Sequence, residues 1–280
     1  MKNLITRSIT GLIFVAVILG AAWYSAISFR GLILIITILS LLEFYRLVNE
    51  KVSRWALYAD ILGGTYLVGI LFLLHDTQPG IPGIYLFSPY IIYLLYTFVV
   101  RLYLKEENPI ESLSRSLLGQ IYVALPFGLL SYIAYPPLAP EYLLMPYNKL
   151  MVIAFFSFIW LNDTGAYIVG SLLGKHRLFE RISPKKSWEG FFGGLIFALI
   201  AGWVWSTQCT FLNPEQWIGL SAVVAIFSTW GDLCESLMKR TLKVKDSGQM
   251  LPGHGGLLDR FDSVLLAAPS AAIYLYIFAA

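Results

Sequence analysis

Residues 31–49 read Gly31-Leu-Ile-Leu-Ile-Ile-Thr-Ile-Leu-Ser-Leu-Leu-Glu43-Phe-Tyr-Arg46-Leu-Val-Asn49, an apolar run with no charge before Glu43. The run does not alternate with period two, so it reads as a helix and not as a strand of a barrel. Crossing roughly 30 Å of hydrocarbon takes about 20 such residues. Working outward, comparable runs recur at 7–28, 56–75, 87–105, 115–135, 149–172, 190–207, 216–240 and 258–279. The chain as a whole is 58% hydrophobic and 13% charged, and a soluble domain carries about 25% charged residues. The expected fold is therefore all-α, a polytopic integral membrane bundle of about nine helices.

Threading these spans alternately across a bilayer puts nearly every Lys and Arg on one side. Lys2, Arg7, Arg46, Lys51, Arg54, Arg101, Lys105, Arg115, the cations of 175–186 and 239–245, and Arg260 share that side, whereas Arg30 and Lys149 do not. This bias predicts a cytoplasmic N-terminus and an extracytoplasmic C-terminus. The start, Lys2 and Arg7 before an apolar run, also has the pattern of a signal peptide, with a cleavage option at Gly20-Ala21-Ala22; an uncleaved first span is the favoured reading. Cys209 falls in an expected outer loop and Cys234 within a span, which predicts no disulfide.

No repeat or soluble linker divides the chain, so a single membrane domain is expected, with two unlike halves. Residues 1–148 read as a scaffold with turns at Asp76-Thr-Gln-Pro79-Gly80 and Tyr135-Pro136-Pro137, and with Glu43 and Asp60 as solvated carboxylates near helix ends. Residues 149–280 carry carboxylates within spans and two basic, glycine-containing loops, and chemistry is expected there.

The eighth span ends in Asp232-Leu-Cys-Glu235-Ser236-Leu-Met-Lys239-Arg240. Helical geometry puts Asp232, Glu235, Ser236 and Lys239 on one polar stripe, able to line a cavity. An internal Asp232–Lys239 ion pair is the plainer alternative. The following loop, Lys243-Val-Lys245-Asp246-Ser247-Gly248 through Pro252-Gly253-His254-Gly255-Gly256, has the glycines and cations of a phosphate cradle, although a solvated turn shares that composition. Asp259 and Asp262 then lie three residues apart as the last span begins, and like charges so placed call for a cation. Mg²⁺, held by one or two carboxylates plus phosphate and water, suits a pairing of Asp232 with Asp259 or Asp262. Zinc is disfavoured because His254 and Cys234 form no ligand cluster.

A second group begins at Asn162-Asp163-Thr-Gly165-Ala-Tyr167 and runs through Lys175-His176-Arg177 to Ser183-Pro184-Lys185-Lys186-Ser187-Trp188-Glu189-Gly190. Asp163 and Tyr167 are one turn apart. Lys185 and Lys186 suit phosphate binding or anchoring at the inner face, and Glu189 suits the start of a helix.

Residues 236–262 resemble the signature of the phosphatidate cytidylyltransferase (CDP-diacylglycerol synthase) family at Ser236, Lys239-Arg240, Lys245-Asp246, Gly248, Pro252, His254-Gly255-Gly256, Asp259-Arg260 and Asp262. The stretch from Asn162 to Gly190 is similar to a second block of that family, with Ser187 where Thr is common. The resemblance is strong over 155–265; before that it extends to span number and general character.

The resemblance implies that CTP and phosphatidic acid become CDP-diacylglycerol and pyrophosphate at the cytoplasmic face of a bacterial inner membrane. It implies Mg²⁺ on Asp232 and Asp259, with Asp262 next, a second, monovalent cation left open, and Asp246 orienting its loop. Lys239 joins the reacting centre, and Arg240, Lys245, His254, Gly255, Gly256, Arg260, Ser236, Asp163, Tyr167, Lys185, Lys186, Ser187 and Glu189 form the substrate-binding set. A homodimer is expected, and no nucleic acid. A CTP-dependent kinase of a polyprenol-type lipid, a transporter using intramembrane carboxylates, and a structural lipid-binding protein are the competing readings.

Overall fold

The computed structural model describes residues 2–48, 53–75, 83–104, 106–136, 146–248, 250 and 255–278, with residues 2–9 described as backbone only. Lys51, Asp76–Gly80, Lys105, Pro137, Pro252, Gly253 and His254, all of which carried expectations, lie outside the described residues, as do the side chains of Lys2 and Arg7.

Helices dominate: α1 (Lys2–Tyr24), α2 (Ala26–Val48), α3 (Arg54–Leu73), α4 (Gly83–Tyr103), α5 (Pro109–Gly119), α6 (Leu125–Ala134), α7 (Lys149–Leu173), α8 (Trp188–Gln208), α9 (Pro214–Thr241) and α10 (Leu258–Phe278). One π-helical turn, Gln120–Ala124, joins α5 to α6 in a continuous helical run. Among the described residues eight runs are long and apolar enough to span a bilayer, and α1 adds the shorter apolar stretch Thr10–Tyr24. This is the all-α polytopic membrane architecture that the apolar runs predict. Between α7 and α8, where a plain loop was expected, β1 (Arg177–Phe179) and β2 (Ser183–Ser187) pair as an antiparallel hairpin.

Polar caps set several helix starts: hydropathy misplaces those after Ser25 and Asn108 and finds the one after Asn148. The first two spans divide at Ser25, not near Arg30, because Ser25 and Ser28 exchange backbone-to-hydroxyl bonds of 3.0 and 3.1 Å in a capping box. Arg30, expected in an outer loop, therefore lies within α2, with its guanidinium 6.0 Å from the Phe72 ring centroid. Asn108 and Asn148 cap α5 and α7 by accepting amides one turn ahead.

Two compact units emerge. The first comprises Met1–Ser131 with Asp246–Arg260, and the second Tyr132–Lys245 with Phe261–Ala280. In the first, Asp60 is buried at 2% exposure, which corrects the expectation of a solvated carboxylate. Its Oδ1 accepts from Tyr93 (2.9 Å) and its Oδ2 from Ser116 (2.6 Å). The Ser116 hydroxyl in turn accepts from Arg101 (2.6 Å), whose guanidinium also pairs with Glu106 at 3.1 Å. Gln120 completes the network by donating to the Asp60 carbonyl (2.8 Å) and to Tyr45 (2.9 Å). The carboxylate is tolerated inside the helices because donors and a nearby guanidinium surround it.

In the second unit α7 and α8 approach closely at small residues, as helices in lipid do. A Cβ at Gly190 would lie 2.9 Å from the Ala166 carbonyl and 3.2 Å from the Gly170 Cα. Asn162 ties α7 to α9 by donating to Ser228 (3.0 Å) and Thr229 (3.3 Å), and Trp205 donates to Ser157 at 3.0 Å across α7 and α8. Cys209 and Cys234 are both free thiols, in line with the expectation of no disulfide.

Asp60→Ala should destabilise the purified protein by about 3–5 kcal/mol, since Arg101 loses a buried counter-charge, and thermal unfolding in detergent measures it. Gly190→Ala should cost about 1–3 kcal/mol through overpacking of α7 against α8, read by the same melt.

Candidate functional site

The second unit assembles its polar groups from α7, β2, α9 and α10. Asp232, on α9, forms an ion pair with Lys186 from β2 and accepts a hydrogen bond from the Ser236 hydroxyl at 3.3 Å. Asp163 on α7 lies within electrostatic reach of both Asp232 and Lys186. Asp262 on α10 lies close enough to Asp232 and Asp163 for the three charges to repel, and its Oδ1 accepts from the Ser263 amide at 2.6 Å. A turn further along α9, Lys239 donates to the buried Glu235 at 3.2 Å. The plain alternative, an internal Asp232–Lys239 pair, is thereby corrected: spacing of seven residues aligns the two, but Glu235 at spacing four is the nearer partner and Lys186 reaches Asp232 from the hairpin.

Among the described residues the cluster brings together the carboxylates of Asp163, Asp232, Asp262 and Glu235 with Lys186 and Lys239. Its hard oxygen donors fit Mg²⁺ better than a softer metal. Among the described residues no group of three or more His, Cys, Asp or Glu side chains is disposed to hold a metal ion by itself.

The hairpin carries the other cations. Lys175, Arg177, Arg181 and Lys185 are exposed. Glu189 closes its base by accepting the Lys175 amide (3.1 Å), the His176 amide (3.2 Å) and His176 Nδ1 (2.6 Å). Ser187 is buried and caps α8, accepting the Gly190 amide at 3.1 Å. Tyr167 is 76% exposed on α7. Arg240 is exposed and reaches the Ile182 carbonyl at 3.5 Å. At the end of α9, Lys243 takes a left-handed conformation (φ 57°), and the amides of Lys243 and Val244 return to the carbonyls of Arg240 and Lys239. This Schellman turn stops the helix and starts the glycine loop.

From Asp246 onward the described residues of that loop belong to the first unit. Lys245 and Asp246 are exposed, Gly255 needs its positive φ of 79°, and Asp246 packs beside it. Asp259 Oδ2 accepts the amides of Ser247 (2.9 Å) and Gly256 (2.8 Å), so two of the roughly four acceptor positions of this carboxylate hold the loop together. Arg260 is exposed. Glu43, expected to be solvated, is buried at 4% exposure and accepts the Leu258 amide at 2.9 Å. The signal that could have revealed it was visible: a lone carboxylate in an otherwise apolar run.

The profile of the Cytidylyltransferase family matches residues 5–278. Over 122 residues the chain is 51% identical to the phosphatidate cytidylyltransferase of Staphylococcus haemolyticus, 50% identical to that of Staphylococcus saprophyticus and 48% identical to that of Staphylococcus aureus. Each of these matches covers 43% of this chain and 46% of the relative, so the chain spans about half the length of the curated relatives it matches. With the family profile running almost end to end, the chain belongs to the cytidylyltransferase family.

Proposed function

We propose that the protein transfers the cytidylyl group of CTP to phosphatidic acid, giving CDP-diacylglycerol and pyrophosphate. The observation that carries this reading is the gathering of Asp163, Asp232 and Asp262 with Lys186 among helices long enough to span a bilayer, beside a cationic hairpin. Relatives that bear the name phosphatidate cytidylyltransferase support it.

The lipid substrate brings its own nucleophile. An oxygen of the phosphatidic acid phosphate forms a bond to the α-phosphorus of CTP, and the bond from that phosphorus to the β-phosphate oxygen breaks, releasing pyrophosphate. No protein nucleophile is required, so the protein aligns two polyanions and offsets the charge that grows on the leaving group. A bound Mg²⁺ would supply Lewis-acid stabilisation of that growing charge. Asp232 and Asp262 are placed to hold it, with Asp163 nearby. Asp259, which the family resemblance also assigns to the metal, holds its own loop through the Ser247 and Gly256 amides. Lys186 orients Asp232 and presents positive charge to phosphate, and Lys185, Arg240 and Lys245 add to the attraction for both substrates. In this reading the cationic hairpin and glycine loop face the cytoplasm, a side that the Lys and Arg bias of the spans supports.

Purified protein given CTP labelled at the α-phosphate, phosphatidic acid and Mg²⁺ should move label into lipid, and chelator should stop it. Label kept in CDP would point to a lipid kinase, and no turnover at all would remove the enzymatic reading. Asp232→Asn should lower kcat by about a hundredfold or more with the fold intact, and Asp259→Asn with unchanged turnover at ordinary Mg²⁺ would take Asp259 out of the reacting centre.

A further inference from the structure

We propose that Glu43 on α2 is a positioning residue for cytidylyl transfer, fixing the signature loop and through it the carboxylate of Asp259; this rests on the cytidylyltransferase reading. Leu258 is the first residue of α10, so its amide has no partner within that helix. Glu43 Oε2 accepts that amide at 2.9 Å, which caps α10 from a different helix and sets a negative charge at its positive end. Glu43 and Leu258 are 215 residues apart in sequence, so the contact is a tertiary clamp and not a local turn.

The backbone closes around the same carboxylate on two sides. At both Gly248 and Gly256 an added Cβ would run into Glu43 Oε1, and at Gly256 it would meet the Ser247 hydroxyl as well. Neither position has room for a side chain while Glu43 keeps its place. Asp259 grips the loop from its other side, taking the Ser247 and Gly256 amides at 2.9 and 2.8 Å. The amides of 256 and 258 are thus divided between Asp259 and Glu43. Neither carboxylate can shift without moving the backbone that holds the other. An apolar residue at 43 would fill the space and leave the Leu258 amide buried without a partner.

The test uses the full chain in lipid nanodiscs with Glu43→Ala and Glu43→Gln. Hydrogen exchange without substrates reads the clamp: in Glu43→Ala the Gly256 and Leu258 amides should exchange about tenfold faster or more, while α7–α9 are unchanged. In turnover, kcat should fall and the Mg²⁺ concentration for half-maximal rate should rise about tenfold to a hundredfold, with the KM for phosphatidic acid unchanged. Glu43→Gln keeps an oxygen acceptor and should recover most of both. If Glu43→Ala does not fold, Gly248→Ala, which displaces the carboxylate, should give the same local loosening. Unchanged exchange at 256 and 258, loosening spread evenly over α1–α6, or a Gln variant no better than Ala would overturn the proposal. Because exchange is measured without CTP, failure of the clamp and failure of the cytidylyl reading give separate results.

Discussion

A carboxylate enclosed among lipid-spanning helices must find cations or hydrogen-bond donors, because the surrounding medium solvates charge poorly. In the second unit several carboxylates share one neighbourhood: Lys186 pairs with Asp232 and Lys239 with Glu235, while Asp163 and Asp262 lie within electrostatic reach of Asp232. Other features of this unit are explicable as supports for this cluster. Small residues let α8 lie against α7, Asn162 locks α7 to α9, and Glu189 with Ser187 fixes the hairpin that delivers Lys186. The reading proposed for this cluster is that a divalent ion, arriving with phosphate, supplies the positive charge.

The first unit meets the same constraint with its own groups. Asp60 is surrounded by Tyr93, Ser116 and the Arg101 guanidinium, and Glu43 Oε2 accepts the Leu258 amide at the entrance of α10. The contrast is useful. Asp60 has neighbours that complete it, which marks a structural role, whereas the neighbours of Asp163, Asp232 and Asp262 include one another.

Much of this was legible in the sequence for physical reasons. Long apolar runs can only be satisfied as helices in lipid, so the all-α membrane fold followed from residues such as 31–49. The stripe of Asp232, Ser236, Glu235 and Lys239 followed from helical spacing, and the structure pairs its members four residues apart. Other features turned on contacts that no local pattern contains. The break at Ser25 is invisible to hydropathy because two serine caps interrupt an apolar stretch without adding charge. Lys186 reaches Asp232 through a hairpin whose existence depends on tertiary support. Glu43 and Asp60 looked like solvated charges near helix ends because their partners lie elsewhere: Leu258 is far along the chain, and Tyr93, Arg101 and Ser116 lie on other helices.

The most direct measurement is the position of a divalent ion. Mn²⁺, bound with a non-hydrolysable CTP analogue, can be located by its anomalous scattering in crystals grown from lipid. The account predicts a peak within coordination distance of Asp232 and Asp262, bridged to nucleotide phosphate oxygens. A peak elsewhere, with those two carboxylates bound only to Lys186 and backbone, would contradict it.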